Sequence, residues 1–376
     1  MKRVLKTLAQ SLFFPAALTL LSAAVHAEFS LSGNLPLAAD AELRLLREDL
    51  DLRSRSLEAA IEVDPSGSFS ATIEGEAGVF YLELPNGSLI PLAIAESQSV
   101  EIDPDSSHPS GFRISGSPDT DAFIAYEIFR RDSLQRLVYA PRAALNAAKD
   151  AGNVPAARMA ELSEGEVQGY LAHRRELNDF TLKKIGNSIA LYATSLRWDG
   201  DHRISELEAL FSDFEAKRPK LAITRSMKAR LDRFRRTAIG AEAAPLEGTS
   251  LDGASLRLAN YRGRLTLVDF WASWCVPCRV ENRHYIGLRE KYPRDQFEVF
   301  GVNLDDNEPI WSMASKRDRV TWPQISDFQG LNSPMAKAYN VSALPMSFLL
   351  DAEGKIIARN LRGDQLAEKL EELLGE

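Results

Sequence analysis

The chain has 376 residues, 45% hydrophobic and 26% charged, with a formal net charge of −8 at pH 7. That length predicts two or three domains, and the acidic balance excludes a nucleic-acid-binding footprint, which needs a clustered basic face. Only two cysteines are present, so a framework of several structural disulfides is excluded too.

The N-terminus carries Lys2, Arg3 and Lys6, then an apolar stretch from Leu8 to Leu21, then Val25-His26-Ala27 with small residues at minus three and minus one. This is the pattern of an export signal over 1–27, cleaved after Ala27. The alternative is an uncleaved membrane anchor, although Gln10, Ser11 and Pro15 interrupt a span barely long enough to cross. No cysteine follows the apolar region, which excludes lipid attachment there, and no later segment is expected to span a bilayer. The expected location is therefore periplasmic, or membrane-anchored if the leader is retained. An exported chain works in an oxidising compartment, where a lone cysteine pair fits an active group better than a set of cross-links.

Residues 28–116 read as a small antiparallel β domain with one packed face. Alternation runs through Ser68-Phe69-Ser70-Ala71-Thr72-Ile73 and from Val79 to Leu84, and Asn86-Gly87 between two apolar runs is a hairpin signal. Pro91 suggests an edge or irregular strand. Nothing here forms a phosphate loop, a metal-ligand spacing or a cluster of converging charges.

Residues 117–238 turn helical, a connector or small bundle, with Asp119, Thr120 and Asp121 as candidate N-caps. Ile185, Ile189, Tyr192 and Leu196 fall on one face, as do Ile204, Leu207, Phe211 and Phe214. Gly152, Asn153 and Pro155 break one helix from the next, and Asp199-Gly200-Asp201 breaks again. The densest basic stretch, 225–236, also aligns Met227, Leu231, Phe234 and Ala238, so it reads as an amphipathic helix with a solvated face.

Residues 239–376 form the third unit. Asp252-Gly253 suits a hairpin turn, Leu265 to Phe270 a buried strand, and a helix should run from the cysteines to Lys291, stopped by Pro293. A second strand at 297–304, helices near 307–316 and 334–339, strands at 346–350 and 355–358, and a last helix at 364–374 describe a mixed sheet covered on both faces.

Both cysteines lie in Phe270-Trp271-Ala272-Ser273-Trp274-Cys275-Val276-Pro277-Cys278-Arg279, between strand and helix. A thiolate at a helix N-terminus is stabilised by unpaired backbone N–H groups and the helix dipole, which makes such a pair a redox couple. Zinc would need about four ligands; there is no second pair, and of His26, His108, His173, His202 and His284 only His284 is near. A purely structural disulfide with so short a spacer gains little chain entropy. Redox chemistry is favoured over both.

The stretch from Val268 to Glu281, which includes Trp-Cys-x-x-Cys, and the later Tyr339-Asn340-Val341-Ser342-Ala343-Leu344-Pro345 resemble the TlpA/ResA-like periplasmic thiol-disulfide oxidoreductases, which have an α/β thioredoxin fold. The whole layout is similar to envelope members that add an N-terminal β-rich domain. The resemblance implies Cys275 as the exposed nucleophile and Cys278 as the shielded thiol that resolves the mixed disulfide. It implies Asp269 as a buried acid of raised pKa that takes the Cys278 proton, with an aspartate turned to solvent or capping the turn as the alternative. Glu281 is read as a second proton-relay candidate or a surface glutamate. Pro345 is the expected cis-proline, leaving room for a substrate chain that pairs with Leu344. Val276 and Pro277 should tune the potential; Trp274 and Trp271 should shape the surface, unless Trp271 is core. Three departures stand out: Met346 in place of threonine after the proline, Arg283 where a helix-kinking proline is usual, and Gly301 in place of a lysine beside the buried acid.

The expected function is an exported reductase of protein disulfides in the envelope, re-reduced by a membrane electron donor and needing no cofactor. The alternatives are a disulfide oxidase or isomerase, and an envelope binding or assembly protein with a secondary redox module. The Pro-x-x-x-Thr-x-x-Cys setting of a peroxidase is absent before Cys275.

Overall fold

The computed structural model describes residues 27–35, 41–108, 111–198 and 200–375, with the side chains of 156 and 200–202 excepted. Nearly all of the expected leader thus lies outside the described residues. Among those described, no helix is long and apolar enough to cross a membrane.

Eight strands open the chain: β1 (Glu28–Asn34), β2 (Glu42–Asp49), β3 (Ser54–Glu62), β4 (Ser68–Glu74), β5 (Gly78–Glu83), β6 (Leu89–Ile94), β7 (Ser99–Pro104) and β8 (Phe112–Ser115). They form two four-stranded sheets, ordered β4-β1-β7-β8 and β3-β2-β5-β6. Neighbours are antiparallel except β1 and β7, which run parallel. Asn86-Gly87 turns β5 into β6, and Pro91 sits on β6 at a sheet edge, where its missing N–H costs no ladder bond. Between the sheets lies a core that includes Phe29, Leu31, Leu43, Leu45, Phe80 and Leu82. The expectation of one packed face fails at β5 and β6, whose outer residues Val79 and Ala93 are buried among helices. These side chains are small enough for helices to lie flat on the strands.

The helices are α1 (Pro118–Leu134), α2 (Ala140–Ala151), α3 (Ala156–Phe180), α4 (Ala190–Ser195), α5 (Gly200–Lys217) and α6 (Ala222–Arg235). The N-cap of α1 is Ser117, not one of the acidic residues: its hydroxyl accepts from Thr120 N at 3.1 Å and donates to Ala93 O at 2.8 Å. Asp119 instead accepts from Ile189 N at 2.7 Å, tying α1 to the segment before α4. Leu207, Phe211 and Phe214 are buried as their spacing predicts, but Leu196 lies beyond the end of α4 and is 40% exposed. Gly186, at φ +56°, interrupts the helical register between Ile185 and Ile189.

Helix α3, 25 residues long, bears most on the site. It packs on α2 and on the π-helical turn Gln135–Tyr139, and its flank reaches α7 (Val276–Lys291) of the C-terminal unit. Gly169 permits the close approach, because a Cβ there would lie 2.0 Å from Leu137 O.

The remaining elements are a hairpin of β9 (Glu247–Thr249) and β10 (Ser255–Arg257), then β11 (Leu265–Trp271), α7, β12 (Phe297–Asn303), α8 (Glu308–Arg317), β13 (Gln324–Ile325), α9 (Pro334–Ala338), β14 (Met346–Leu350), β15 (Ile356–Arg359) and α10 (Gly363–Leu374). The sheet order is β13-β12-β11-β14-β15, with β11, β12 and β13 parallel and β14 and β15 antiparallel. Every residue of central β11 is buried. Leu265 and Leu267 face α7 and α10, while Val268 and Phe270 face Tyr339 and Met335 on the other side, so a continuous apolar run still obeys the two-residue period. This is the thioredoxin fold, and α7 runs uninterrupted past Arg283.

Replacing Gly169 by Ala tests how α3 is seated. Helix propensity alone would favour alanine by about 1 kcal/mol, but contact with Leu137 O outweighs it, and a net loss of about 1–3 kcal/mol is expected. Gly165→Ala, on the same helix with open space around it, should instead hold or raise stability; urea unfolding of the two variants reads the difference.

Candidate active site

Strand β11 ends at Trp271, and a short turn carries the chain into α7, with Cys275 as N-cap and Pro277 in the first helical turn, where a missing N–H costs nothing. Cys275 and Cys278 form a disulfide, and Cys278 N donates to Cys275 Sγ at 3.2 Å. The turn is held from β12's end by Asp305. Its carboxylate, only 2% exposed, accepts from Ser273 Oγ at 2.7 Å, Ser273 N at 3.0 Å and Asn303 Nδ2 at 2.8 Å. Arg279, one residue past Cys278, is fixed by two bonds of 2.7 and 2.6 Å to Asp318.

One expectation fails: Cys275 is not exposed. It retains 4% of its surface and sits with Trp271, Ala272, Trp311 and Ala314 in an apolar cluster. Trp274 beside it is 60% exposed, whereas Trp271 is core. What the sulfur faces is a cavity of about 380 Å³, lined on one side by Trp274, Val276, Pro277 and the loop from Ser342 to Met346, and on the other by α2 and α3. The Leu344–Pro345 peptide is cis. Helices more than a hundred residues upstream thus roof the disulfide.

On the strand that leads into the turn, Asp269 is fully enclosed within β11, opposite Gly301 on β12 and Ser347 on β14. Burial pushes its carboxyl up to about 7; the Tyr285 hydroxyl, donating to Oδ1 at 3.2 Å, and the Arg362 guanidinium pull it down, while the Glu281 carboxylate pushes it further up. The lysine lost at Gly301 has no space to occupy, since a Cβ there already lies 3.0 Å from Gln324 Cγ and 3.4 Å from the Trp322 indole nitrogen. A cation reaches the acid from elsewhere: Arg362, 7% exposed, donates from Nη2 to Pro345 O at 3.0 Å.

Glu281 is buried rather than superficial. Its Oε2 accepts from Gly363 N at 3.0 Å, and Oε1 lies 3.5 Å from His284 Nδ1, whose pKa that carboxylate raises. Cys275, Trp274, Val276, Pro277, Leu344, Pro345 and Met346 line one cavity, Cys278 is bonded to Cys275, and Asp269 and Glu281 are buried outside that lining, coupled to each other through their charges. Sequence reading missed Tyr285, Asp305 and Arg362. Tyr285 carried a usable signal, being seven residues after Cys278 on the same helical face; the other two come from distant turns.

A buried cysteine couple at a strand-to-helix turn on a thioredoxin fold, with a buried acid on the preceding strand, defines the class of thiol-disulfide oxidoreductases. The AhpC/TSA family model matches residues 239–359. Thiol-disulfide oxidoreductase ResA of Bacillus thuringiensis is 32% identical over 36% of this chain and 76% of its own length. Sporulation thiol-disulfide oxidoreductase A of Bacillus subtilis is 29% identical over 33% of this chain and 73% of its own. Among solved structures, a thiol-disulfide oxidoreductase from Bacteroides fragilis is 37% identical and covers 35% of this chain and 99% of its own, with a TM-score of 0.34. The chain belongs to the TlpA/ResA-like family of thioredoxin-fold thiol-disulfide oxidoreductases.

Asp269 sets a pH signature. Its folded pKa, raised to about 7 from 3.8, means the native state binds the proton more tightly, so the contribution to stability is fully present below about pH 4 and is lost as pH rises through 7. Asp269→Asn should remove that slope. The oxidised variant is expected to match the parent near pH 4 and exceed it at pH 8 by at most about 4 kcal/mol, as read by guanidinium unfolding at both pH values.

Proposed function

We propose that this chain is an exported reductase of protein disulfides in the cell envelope, using the Cys275–Cys278 dithiol and re-reduced by a membrane dithiol donor. The observation that carries the reading is the cysteine pair at the start of α7, with buried Asp269 below and the cis Leu344–Pro345 peptide lining the cavity in front. The Cys275 thiolate attacks a substrate disulfide, forming a mixed disulfide and releasing one substrate sulfur, which takes up a proton. Asp269 accepts the proton of Cys278, whose thiolate then attacks Cys275 Sγ, closing the intramolecular disulfide and releasing the second substrate thiol. Two electrons and two protons pass to the substrate, and the protein is oxidised. An acid with a pKa of about 7 can both take and return that proton at neutral pH.

The apolar shell of Cys275 supports the reductive direction. Strong oxidants of this class owe their potential to a stabilised reduced form, and burial among Trp271, Trp311 and Ala314 disfavours a thiolate instead. Glu281, held by Gly363 N, acts on Asp269 through its charge rather than by contact with the sulfurs. Leu344 and Pro345 offer the edge along which a substrate chain lies, with Trp274, Val276 and Pro277 on its other side. The leader of residues 1–27 delivers the chain, and the β-rich region 28–116 together with the helical region 117–238 supports the redox unit 239–376.

Equilibration against glutathione should give a potential near about −270 mV; a value near about −120 mV would assign an oxidase instead. Cys278→Ser is expected to accumulate mixed disulfides with envelope proteins on a non-reducing gel, and Cys275→Ser to accumulate none. The reverse pattern would exchange the two roles.

A further inference from the structure

The roof over the disulfide is charged, and its balance is positive. Arg142, Lys149, Arg174 and Arg362 line the cavity in front of Cys275, against the single carboxylate of Glu166. A second cavity, of about 260 Å³, adjoins the first through shared Arg174, Ser342 and Met346, and brings Arg53, Arg230, Arg233 and Arg359 against the single carboxylate of Asp51. The two carboxylates are spent, because Glu166 pairs with Arg142 at 2.6 Å and Asp51 with Arg230 at 2.9 Å. Two buried guanidinium nitrogens, Arg174 Nε and Arg362 Nη1, have no hydrogen-bond partner among the described residues; the latter has only a long ion pair of 4.0 Å to Glu164. Buried donors of that kind are costly when left unmet, and more so when charged. This concentration of cations stands out on a chain of net charge −8.

We infer that the seam is a binding cleft for an acidic polypeptide segment, whose carboxylates lie along Lys149, Arg174 and Arg233 while its disulfide meets Cys275. A chain is favoured over a compact ligand because the cations are divided between two cavities that share Arg174, Ser342 and Met346, so an occupant must reach into both to meet them. The inference rests on the reductase reading above and names its substrate class.

The test uses the full chain, reduced beforehand, and two peptides of equal length, each with one cysteine in a mixed disulfide with neutral 2-thiopyridine. One peptide flanks that cysteine with Asp and Glu, the other with Asn and Gln, and release of the thiopyridone is followed by absorbance. The acidic peptide is expected to react about tenfold faster at low ionic strength, with the ratio falling towards one in about 1 M salt. Lys149→Glu and Arg233→Glu should each lower the ratio several-fold, while Lys217→Gln, an exposed cation paired with Asp213 away from the seam, should leave it intact. A ratio of one in the parent chain, or a ratio that neither reversal moves, overturns the inference alone. Glutathione disulfide reacting as fast as the acidic peptide, with the same dependence on Lys149, would assign the cleft to small anionic disulfides and overturn the polypeptide. No reaction with either peptide or with hydroxyethyl disulfide would overturn the reductase reading itself.

Discussion

Asp305 holds the arrangement on which the chemistry depends. A strand buried on both faces must give way to a helix within a few residues, and the turn between them bears a large exposed indole at Trp274. Three hydrogen bonds from Ser273 and Asn303 to one enclosed carboxylate fix that turn. Bonds to an ionised acceptor are stronger than neutral ones, and here they set where α7 begins. The helix start in turn places one sulfur at the cavity and the other a turn deeper, while the strand before the turn carries an acid that burial makes hold its proton more tightly than usual.

The second constraint is docking. In the N-terminal two thirds, the small residues Val79 and Ala93 let helices settle on the outer face of a sheet, and Gly169 lets α3 press against Leu137. These contacts are local and modest, yet together they carry a helix across the mouth of a redox site formed far away in the sequence. The result is a sulfur in a walled cleft rather than on an open face.

Whereas the cis-proline opposite was expected only from the family resemblance, the cysteine pair, the buried strand and the helix from 276 to 291 were legible because each is written in contiguous residues. Asp269 was legible for the same reason, as a carboxylate within an apolar run. Residues whose role depends on distant partners were not. Arg362 lies just past β15 and looks like a surface arginine until the fold sets it against Pro345 O and the acid. Cys275 reads as exposed because nothing near it in sequence hints at a roof. Leu196 continues the apolar register of Ile189 and Tyr192, but the helix stops short of it. Ser117 was passed over as a cap because three stronger-looking candidates follow; what decides is its hydroxyl reaching the carbonyl of Ala93 across the sheet edge.

Arg362 touches the carbonyl of the cis-proline on one side and the field of Asp269 on the other. An anion seated in the cavity that Arg362 lines would offset part of the positive charge that now restrains the acid, so the carboxyl would grip its proton harder while the cleft is filled and loosen as it empties. By reciprocity, protonation of the acid must strengthen the hold on that anion. Occupancy of the groove and the timing of proton release are thereby two readings of one electrostatic balance.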